Sequence, residues 1–383
     1  MEAIFQIYSN SPLLIVYCSL LIIYCLLVFG LLVGILKVRR AKPRKTNEFI
    51  SVIVAARNEE QNLPFLIDSL KNQSYQNFEL IIVDDRSEDG TLAVLEKFSK
   101  IFAKLKFLTV DKNSKLEMAP KKNALSLGIS ESKGEILLFT DADCIPEKDW
   151  IEKTLNYFTP KVGLVTGYSP SKGKGLFSLL AELDTLSLAC VNAGTIALGF
   201  PMTCSGRNLA YRKEVFEEVG GFSKIAKFIS GDDDLFLHLV RDLTNWKIVF
   251  CPESSVLTSP PNSAKAFFNQ RIRHASKGKS YTLKTKILLG SVYLFNFLLF
   301  ISPILWFSGF VKLEAILGIF FTKTLIEFLV IFWGISNWKS WKLIPIFPLM
   351  ELLHIPYVTI LGLLGQFLKF EWKEQKFEAK KKS

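Results

Sequence analysis

The sequence predicts an α/β domain with a mostly parallel central sheet, flanked by transmembrane helices. Between residue 48 and about residue 260, short apolar runs alternate with helical patterns, which is typical of βαβ units. A charge-free apolar segment precedes this region, and long apolar segments return after residue 287. In a chain of 383 residues with 49% hydrophobic content, these observations favour an integral membrane protein.

The first apolar segment, Pro12 to Leu36, is long enough to cross a bilayer as one helix. A cleaved secretory signal would be shorter and would follow a basic stretch, so an uncleaved anchor is expected. The positive-inside rule places the chain from residue 37 onward in the cytoplasm. The basic residues that follow the segment are Lys37, Arg39, Arg40, Lys42, Arg44 and Lys45.

The net charge of +11 is concentrated beside the apolar segments and between Arg271 and Lys286. No nucleic-acid-binding motif accompanies this charge, and anionic lipid head groups explain it more simply. No nucleic-acid partner is therefore expected. The six cysteines lack the spacing of a zinc site or of a disulfide framework, which fits a reducing cytosolic face.

The order of elements follows from the apolar runs and the helical patterns between them. Helices are expected near residues 62–72, 89–100, 121–131 and 147–158. The strands expected around them are Ile50–Ala56, Glu79–Val83, Lys106–Val110, Glu135–Thr140 and Val162–Thr166.

After Gly167 the pattern changes, and this half is expected to shape the site of the second substrate. It should contain a polar loop, a long helix around 175–193, a short strand from Asn208 to Tyr211 and a helix that begins near Asp232.

Three C-terminal segments are long enough to span a membrane: Ile287–Val311, Leu313–Ile335 and Leu343–Leu368. Lys323 and Glu327 lie four residues apart, so a structural ion pair is favoured over a polar pathway.

The third segment contains Pro345, Pro348 and Pro356, which predicts a broken or interfacial segment. Three crossings after the anchor would leave the basic tail outside, against the positive-inside rule, so two or three spans remain open.

Asp141-Ala142-Asp143 directly follows the apolar run that ends at Thr140. Open α/β sheets bind ligands at the carboxyl ends of their strands. Two carboxylates beside one small residue can hold a hard divalent cation that keeps open positions for phosphate oxygens. Alone, the pattern is weak, and a solvated turn after a strand would be the more frequent explanation.

Polar residues also follow the first two strands, in the segments Ala55-Ala56-Arg57-Asn58-Glu59 and Asp84-Asp85-Arg86-Ser87. Ala55, Asn58 and Glu59 could present backbone groups to a nucleobase, and an aspartate could accept the imide hydrogen of uracil. For Asp84 and Asp85 alone, an Asx turn is the simpler interpretation.

Three further groups of residues are candidates for the same functional site. Lys121 opens a helix after Pro120, where a diphosphate would be favoured. Gly231-Asp232-Asp233-Asp234 precedes another helix and offers a general base. Gln270, Arg271 and Arg273 could contact pyrophosphate or, equally, lipid head groups.

The chain contains, in this order, the motifs Asp84-Asp85, Lys121, Asp141-x-Asp143, Gly231-Asp232-Asp233 and Gln270-x-x-Arg273. This series resembles the motifs of membrane-bound family 2 glycosyltransferases, which include cellulose-synthase-like and ceramide-glucosyltransferase-like enzymes. The resemblance covers about residues 49–275 and the flanking spans. It implies a GT-A fold, a nucleotide-diphosphate sugar donor, preferably UDP-linked, and transfer with inversion. It also implies Mn²⁺ or Mg²⁺ at Asp141 and Asp143, a lipid or lipid-linked glycan acceptor, and a place in the cell inner membrane.

The resemblance also assigns roles to residues. Asp84 or Asp85 would bind the nucleobase, and Lys121, Asp141, Gln270, Arg271 and Arg273 would bind the donor. Asp233 is the first choice for the general base, with Asp232 as its rival because the family's Glu-Asp pair can also be laid on Gly231-Asp232. Arg207 and Asn208 match an acceptor-side segment, and His274 replaces the tryptophan of the family's Gln-x-x-Arg-Trp, which favours single transfer over a processive synthase.

Four domains are expected. They are an anchor with a basic juxtamembrane segment (1–46), a cytoplasmic GT-A domain (47–286), a C-terminal membrane domain (287–368) and a basic tail (369–383). Two other functions were considered. A nucleotidyltransferase would need a glycine-rich basic loop near its N-terminus, which the segment from Ser51 to Asn62 lacks. A catalytically silent scaffold would be expected to have lost a metal-binding or base carboxylate, whereas Asp141, Asp143 and Asp233 are all present.

Overall fold

A computed structural model describes residues 11–111, 117–261, 263–365, 370–372 and 375–377. The chain divides into two compact units. The helical unit comprises Met1–Leu36 and Asn262–Ser383, and the sheet unit comprises Lys37–Pro261. The predicted domain boundaries at residues 46, 286 and 368 stay predictions.

The described chain begins with helix α1 (Ser11–Lys37), in which the 26-residue segment Pro12–Lys37 is long and apolar enough to cross a membrane and agrees with the predicted span. In the sheet unit, the strands are β1 (Ile50–Ala56), β2 (Phe78–Asp84), β3 (Leu105–Thr109), β4 (Ile136–Phe139), β5 (Cys144–Pro146), β6 (Val162–Tyr168), β7 (Leu209–Arg212) and β8 (Lys247–Thr258). Its helices are α2 (Leu63–Lys71), α3 (Thr91–Ser99), α4 (Pro120–Ser130), α5 (Trp150–Leu155), α6 (Leu176–Ala197), α7 (Lys213–Glu218) and α8 (Asp234–Leu243).

The eight strands form one mixed sheet in the order β3-β2-β1-β4-β7-β6-β8-β5. The four strands from β3 to β4 run parallel, and β6 pairs with β8 in parallel, whereas β7 is antiparallel to both of its neighbours. Strands β1, β2 and β4 are almost continuously apolar because helices cover both faces of a parallel sheet. This α/β architecture confirms the predicted fold class.

Two strands of this sheet were not predicted. Strand β8 has twelve residues but contains Pro252-Glu253-Ser254-Ser255, which interrupts the apolar pattern. Its pairing with β6 shifts register between Gly167 and Tyr168, so no regular alternation marks it in the sequence. Strand β5 has only three residues, too few to show a period.

Helix α4 lies very close to the sheet. A Cβ added at Gly128 would stand 2.7 Å from Cγ2 of Ile53 and 3.2 Å from Cγ2 of Val83. Glycine therefore allows the backbone of α4 to approach β1 and β2. This close packing fixes the N-terminus of α4, which begins with Pro120 and carries Lys121.

The helical unit continues with α9 (Ala264–Ser276), α10 (Leu283–Phe307), α11 (Leu313–Asn337) and α12 (Phe347–Leu364), followed by a short hairpin of β9 (Phe370–Trp372) and β10 (Gln375–Phe377). Within the described residues, five helical segments are long and apolar enough to cross a membrane. Four lie in the helical unit; the fifth is α6, which packs against β6 and β8 of the sheet unit. The protein is thus a membrane protein by the length and composition of its helices.

The third C-terminal segment changes helix type after its first proline, and the two parts are contiguous. A 3₁₀-helix (Trp341–Ile346) contains Pro345, and α12 then runs through Pro356 without a break.

The predicted pair of Lys323 and Glu327 is present, with Nζ and Oε1 2.8 Å apart. Lys323 is fully buried and also contacts Glu351 at 2.8 Å, and Tyr24 of α1 donates to Glu327. The charge therefore joins three helices of the unit, which favours the structural interpretation over a polar pathway.

Candidate active site

The candidate site lies where β1, β2 and β4 end. Ala56 pairs with Asp84, and Ile53 pairs with Phe139, so these three parallel strands finish at one edge of the sheet. Asp141 and Asp143 follow β4 at this edge. The sequence predicted this arrangement of strand ends, and the strand order β2-β1-β4 produces it.

Lys121 lies between two carboxylates. Its Nζ is 2.8 Å from Oδ1 of Asp141 and 2.8 Å from Oδ2 of Asp232. Arg207 approaches the other oxygen of Asp141 at 3.9 Å. Three segments that are far apart in sequence, before α4, after β4 and before α8, therefore meet at one ammonium group.

Electrostatic interactions hold this cluster charged. Burial alone would lower the pKa of Lys121, but the charges of Asp141 and Asp232 raise it well above its ordinary value. Burial would likewise raise the pKa of Asp141, but Lys121, with a further contribution from Arg207, lowers it below its ordinary value. At neutral pH Lys121 therefore carries its positive charge and Asp141 its negative charge.

Lys122 has a different environment from Lys121. Its side chain is fully buried, and Nζ donates to the carbonyl oxygens of Phe228 and Ser230, the latter at 3.1 Å. Lys122 thus holds the loop that leads into the acidic segment. Gly231, which follows Ser230 in this loop, has φ +96°, a conformation that favours glycine.

Asp232 and Asp233 are oriented differently. Asp232 is 9% exposed and forms the ion pair with Lys121. Asp233 caps α8: Oδ1 accepts from the backbone nitrogen of Asp234 at 2.7 Å, and Oδ2 accepts from that of Gly206 at 3.3 Å. Helix α8 begins at Asp234, two residues later than predicted, because Asp233 is its N-cap.

Asp141, Asp143 and the thiol of Cys144 have potential ligand atoms within 4.8 Å of one another. Asp143 is exposed, whereas Cys144 is fully buried. Burial, followed by the charges of Asp143 and Asp141, raises the pKa of this thiol well above its ordinary value. The carboxylates therefore suit a hard cation such as Mn²⁺ or Mg²⁺, and the protonated thiol is a poor ligand.

The loops after β1 and β2 form the other side of this edge. Asp85 accepts from Nε of Arg86 at 2.8 Å, whereas Oδ1 of the buried Asp84 lacks a hydrogen-bond partner among the described residues. Asn58, at φ +53°, joins the loops through Ser87 and Glu88. Ala55 lies in β1, and the backbone nitrogen of Glu59 donates to Thr91.

Asn208, predicted on the acceptor side, has a side chain that is hydrogen-bonded inside the sheet unit. It is 2% exposed, and Nδ2 donates to the carbonyl oxygens of Tyr168 at 2.9 Å and Ser254 at 3.1 Å. Its Oδ1 accepts from Nε1 of Trp150 at 3.0 Å and from Oγ of Ser254 at 3.1 Å. Asn208 thus joins β6, β8 and α5 inside the sheet unit, where a polar group must be fully bonded.

Replacing Asn208 with alanine is expected to lower the apparent melting temperature by roughly 5–10 °C, since buried hydrogen bonds to three segments are lost and their partners remain unpaired. Thermal unfolding of the purified protein in detergent measures this change. Asn72→Ala is the matched control, because exposed Asn72 makes a local bond to Asp68. Equal melting temperatures for both variants would contradict the structural role of Asn208.

The remaining predicted site residues belong to the helical unit. Gln270, Arg271, Arg273 and His274 all lie on α9, and the guanidinium group of Arg271 lies over the ring of Phe267 at 5.1 Å. Their proposed contacts with the donor and the acceptor stay predictions.

Sequence reasoning missed Thr140 and Tyr211. Thr140 directly precedes the Asp141-x-Asp143 motif, and Tyr211 ends the segment Gly206-Arg207-Asn208-Leu209-Ala210-Tyr211. Their positions beside motifs were a signal, but only the tertiary structure shows that Thr140 and Tyr211 line the pocket of Lys121 and Asp232.

Comparison with known families decides the class of protein. The family described as "Glycosyl transferase family group 2" matches residues 136–357, more than half of the chain, and "Glycosyl transferase family 2" matches residues 51–220. The chain belongs to glycosyltransferase family 2.

Relatives of this family 2 glycosyltransferase are named for similar activities. Glycosyltransferase AglE of Haloferax volcanii is 29% identical over 204 residues, which cover 49% of this chain and 60% of that protein. Poly-beta-1,6-N-acetyl-D-glucosamine synthase of Staphylococcus epidermidis is 27% identical over 263 residues, which cover 65% of this chain and 60% of that protein. The chain thus spans about three fifths of the length of these relatives.

A mannosyltransferase from Pyrobaculum calidifontis, whose structure contains GDP-Man and Mn²⁺, has the same fold as this family 2 chain. The two superpose with a TM-score of 0.58 and 16% identity, over 93% of this chain and 98% of the other. The fold of the sheet unit is therefore GT-A, as expected from the sequence motifs.

Proposed function

We propose that this protein transfers a sugar, with inversion, from a nucleotide-diphosphate sugar to a lipid or lipid-linked glycan at the cytoplasmic membrane surface. The observation that supports this proposal most strongly is the position of Lys121 between Asp141 and Asp232 at the sheet edge. Lys121 can bind a diphosphate, Asp141 can bind a metal ion, and Asp232 can remove a proton, so the groups needed for transfer lie close together.

The donor is UDP-linked in this proposal. Asp84 has an unpartnered carboxylate oxygen that can accept the imide hydrogen of uracil, whereas Asp85 is paired with Arg86. The backbone of the loop from Ala55 to Glu59 borders the base. Lys121 and the N-terminus of α4 favour the negatively charged diphosphate.

Asp141 and Asp143 would hold the divalent cation, for which Mn²⁺ and Mg²⁺ are both suitable. When bound, such an ion neutralises charge that develops on the leaving diphosphate. Arg207, 3.9 Å from Asp141, adds positive charge on the same side. A nucleoside diphosphate would thus leave from a site with several cationic groups.

Asp232 is our choice for the general base, ahead of Asp233. Asp233 uses both oxygens to accept backbone hydrogen bonds, which hold its side chain at the start of α8. Asp232 instead lines the pocket with Lys121 and Asp141. It would remove the proton of the acceptor hydroxyl as that oxygen attacks the anomeric carbon and the bond to the diphosphate breaks.

We assign Arg271 and Arg273 to the diphosphate or to lipid phosphate, and His274 to the position where a tryptophan would favour processive synthesis. Since a synthase of poly-beta-1,6-N-acetyl-D-glucosamine is 27% identical over 65% of the chain, polymer formation is the second candidate function.

A donor screen tests the proposal. Purified protein in detergent is incubated with UDP-, GDP- and dTDP-sugars, Mn²⁺ and lipid extract, and the released nucleoside diphosphate is quantified. We expect release from a UDP-sugar and transfer of labelled sugar to lipid. Lys106→Ala, which removes an exposed ion pair on β3, serves as the control for unchanged turnover.

Three outcomes would change the proposal. Release without label in lipid would indicate donor hydrolysis, and label in long polymers would favour the synthase. If no nucleoside diphosphate is released from any donor while UDP still binds, a nucleotide-sugar-binding scaffold would be favoured.

Replacing Asp84 with alanine is expected to weaken UDP binding about 10-fold or more, because the hydrogen bond from uracil to a charged acceptor is lost. Isothermal titration with UDP and Mn²⁺ measures the affinity. Asp85→Ala is the matched control, since Asp85 is already bound to Arg86. A larger loss for Asp85→Ala would move base recognition to that residue.

A further inference from the structure

Two buried hydroxyl groups line the pocket beside the Lys121–Asp232 ion pair. Thr140 is 3% exposed and Tyr211 is 1% exposed, and neither Oγ1 of Thr140 nor the phenol oxygen of Tyr211 has a hydrogen-bond partner within the described chain. The same pocket is lined by Lys121, Leu125, Phe139, Asp141, Gly206, Leu209 and Asp232.

The position of the Tyr211 hydroxyl is fixed by packing. Its ring stacks on Phe139, with centroids 4.5 Å apart, and lies 4.6 Å from the ring of Phe236. The charge of Asp232 acts on this phenol: burial, and then Asp232, raise the pKa of Tyr211 well above its ordinary value. The hydroxyl therefore keeps its proton and is available as a donor.

A buried hydroxyl without a partner has lost water and gained nothing in return, so it calls for a further role. Thr140 directly follows β4 and Tyr211 lies in β7, and these two strands are neighbours in the sheet. Both hydroxyls border the same pocket as the Asp232 carboxylate. We identify this carboxylate as their acceptor, because it needs new hydrogen-bond donors once Lys121 leaves it.

That change of state follows from the sharing of Lys121. In this structure its ammonium group contacts both Asp141 and Asp232. A nucleoside diphosphate brings more negative charge than one carboxylate and would draw the flexible lysine toward itself. Asp232 would then be a buried carboxylate that has lost its cation, which is unfavourable without new hydrogen bonds.

We propose that Tyr211 is a positioning residue for the base: its hydroxyl, with that of Thr140, hydrogen-bonds Asp232, directly or through one water, when Lys121 turns to the donor diphosphate. The inference rests on the proposed function and deepens it. Donor binding would exchange the partners of Asp232, releasing it from a cation that suppresses its basicity and holding it with neutral donors for proton removal.

UDP binding in the presence of Mn²⁺ tests this exchange without requiring turnover. Tyr211→Phe retains the ring packing and removes the donor. It is expected to raise the UDP dissociation constant about 3- to 10-fold, because Asp232 then loses Lys121 without compensation. In an Asp232→Asn background the same substitution should have no effect, since neutral asparagine needs no such compensation.

Turnover and stability supply the second readout. We expect Tyr211→Phe to lower the transfer rate about 10- to 100-fold and Thr140→Val to lower it in the same direction, while the melting temperature stays equal or rises. Tyr168→Phe, which removes a buried hydroxyl outside this pocket, is the control for unchanged turnover.

Each contrary result has a distinct meaning. Equal UDP affinity and turnover in the wild-type protein and Tyr211→Phe would overturn the inference and leave the proposed function intact. The same loss of affinity in the Asp232→Asn background would show that Tyr211 does not act through Asp232 and would also overturn it. A wild-type protein that binds no UDP would overturn the proposed donor and the inference together.

Discussion

Asp232→Asn is expected to reduce sugar transfer about 10²- to 10⁴-fold, the usual contribution of a positioned general base. The substitution keeps the size of the side chain and removes only the ability to take a proton. UDP affinity should stay equal or increase, because Lys121 is no longer shared with a second carboxylate. Turnover with saturating donor, together with UDP titration, measures the two effects separately.

Asp233→Asn is the matched comparison, because it changes the next carboxylate in the same loop. Asp233 caps α8 and binds the backbone of Gly206, so its replacement should lower the melting temperature more than the transfer rate. A loss of transfer with Asp233→Asn and an active Asp232→Asn would assign the base to Asp233, the first choice from sequence.

The uncertainty between these two aspartates shows the limit of sequence reasoning at this site. Gly231-Asp232-Asp233-Asp234 offers consecutive carboxylates, and a shift of one residue exchanges their roles. The structure separates them, because Asp232 contacts a lysine of another segment and Asp233 contacts local backbone groups. That distinction depends on tertiary packing, which a local motif does not contain.

The fold was more accessible to prediction. The almost continuous apolar runs of β1, β2 and β4 marked a parallel sheet, and the polar residues after them marked the ligand edge. Strand β8 was missed because its proline, charged and serine residues break the pattern at a register shift. The buried hydrogen bonds of Asn208 were not predicted, because a polar residue beside a motif can serve the interior as well as a substrate.

Asp143→Ala is expected to weaken Mn²⁺ binding at least about 100-fold, since even the loss of a residue that only supports a metal ligand typically costs 10- to 100-fold. Asp143 is the most informative choice among the candidate ligands. Asp141 also binds Lys121, so its replacement would disturb the ion pairs, whereas Asp143 is exposed. The electron paramagnetic resonance signal of free Mn²⁺ measures binding without turnover, and donor turnover should fall in parallel.

Two control variants test whether the loss of Mn²⁺ binding is specific to Asp143. Asp149→Ala removes an exposed carboxylate after β5 that pairs with Lys153, and should leave Mn²⁺ affinity unchanged. Cys144→Ser should also retain Mn²⁺ binding, because the raised pKa of the buried thiol keeps it protonated and manganese prefers oxygen ligands. Full Mn²⁺ affinity in Asp143→Ala, or turnover that persists in a chelator, would remove the cation from this site and leave Lys121 and Arg207 as the groups that stabilise the leaving diphosphate.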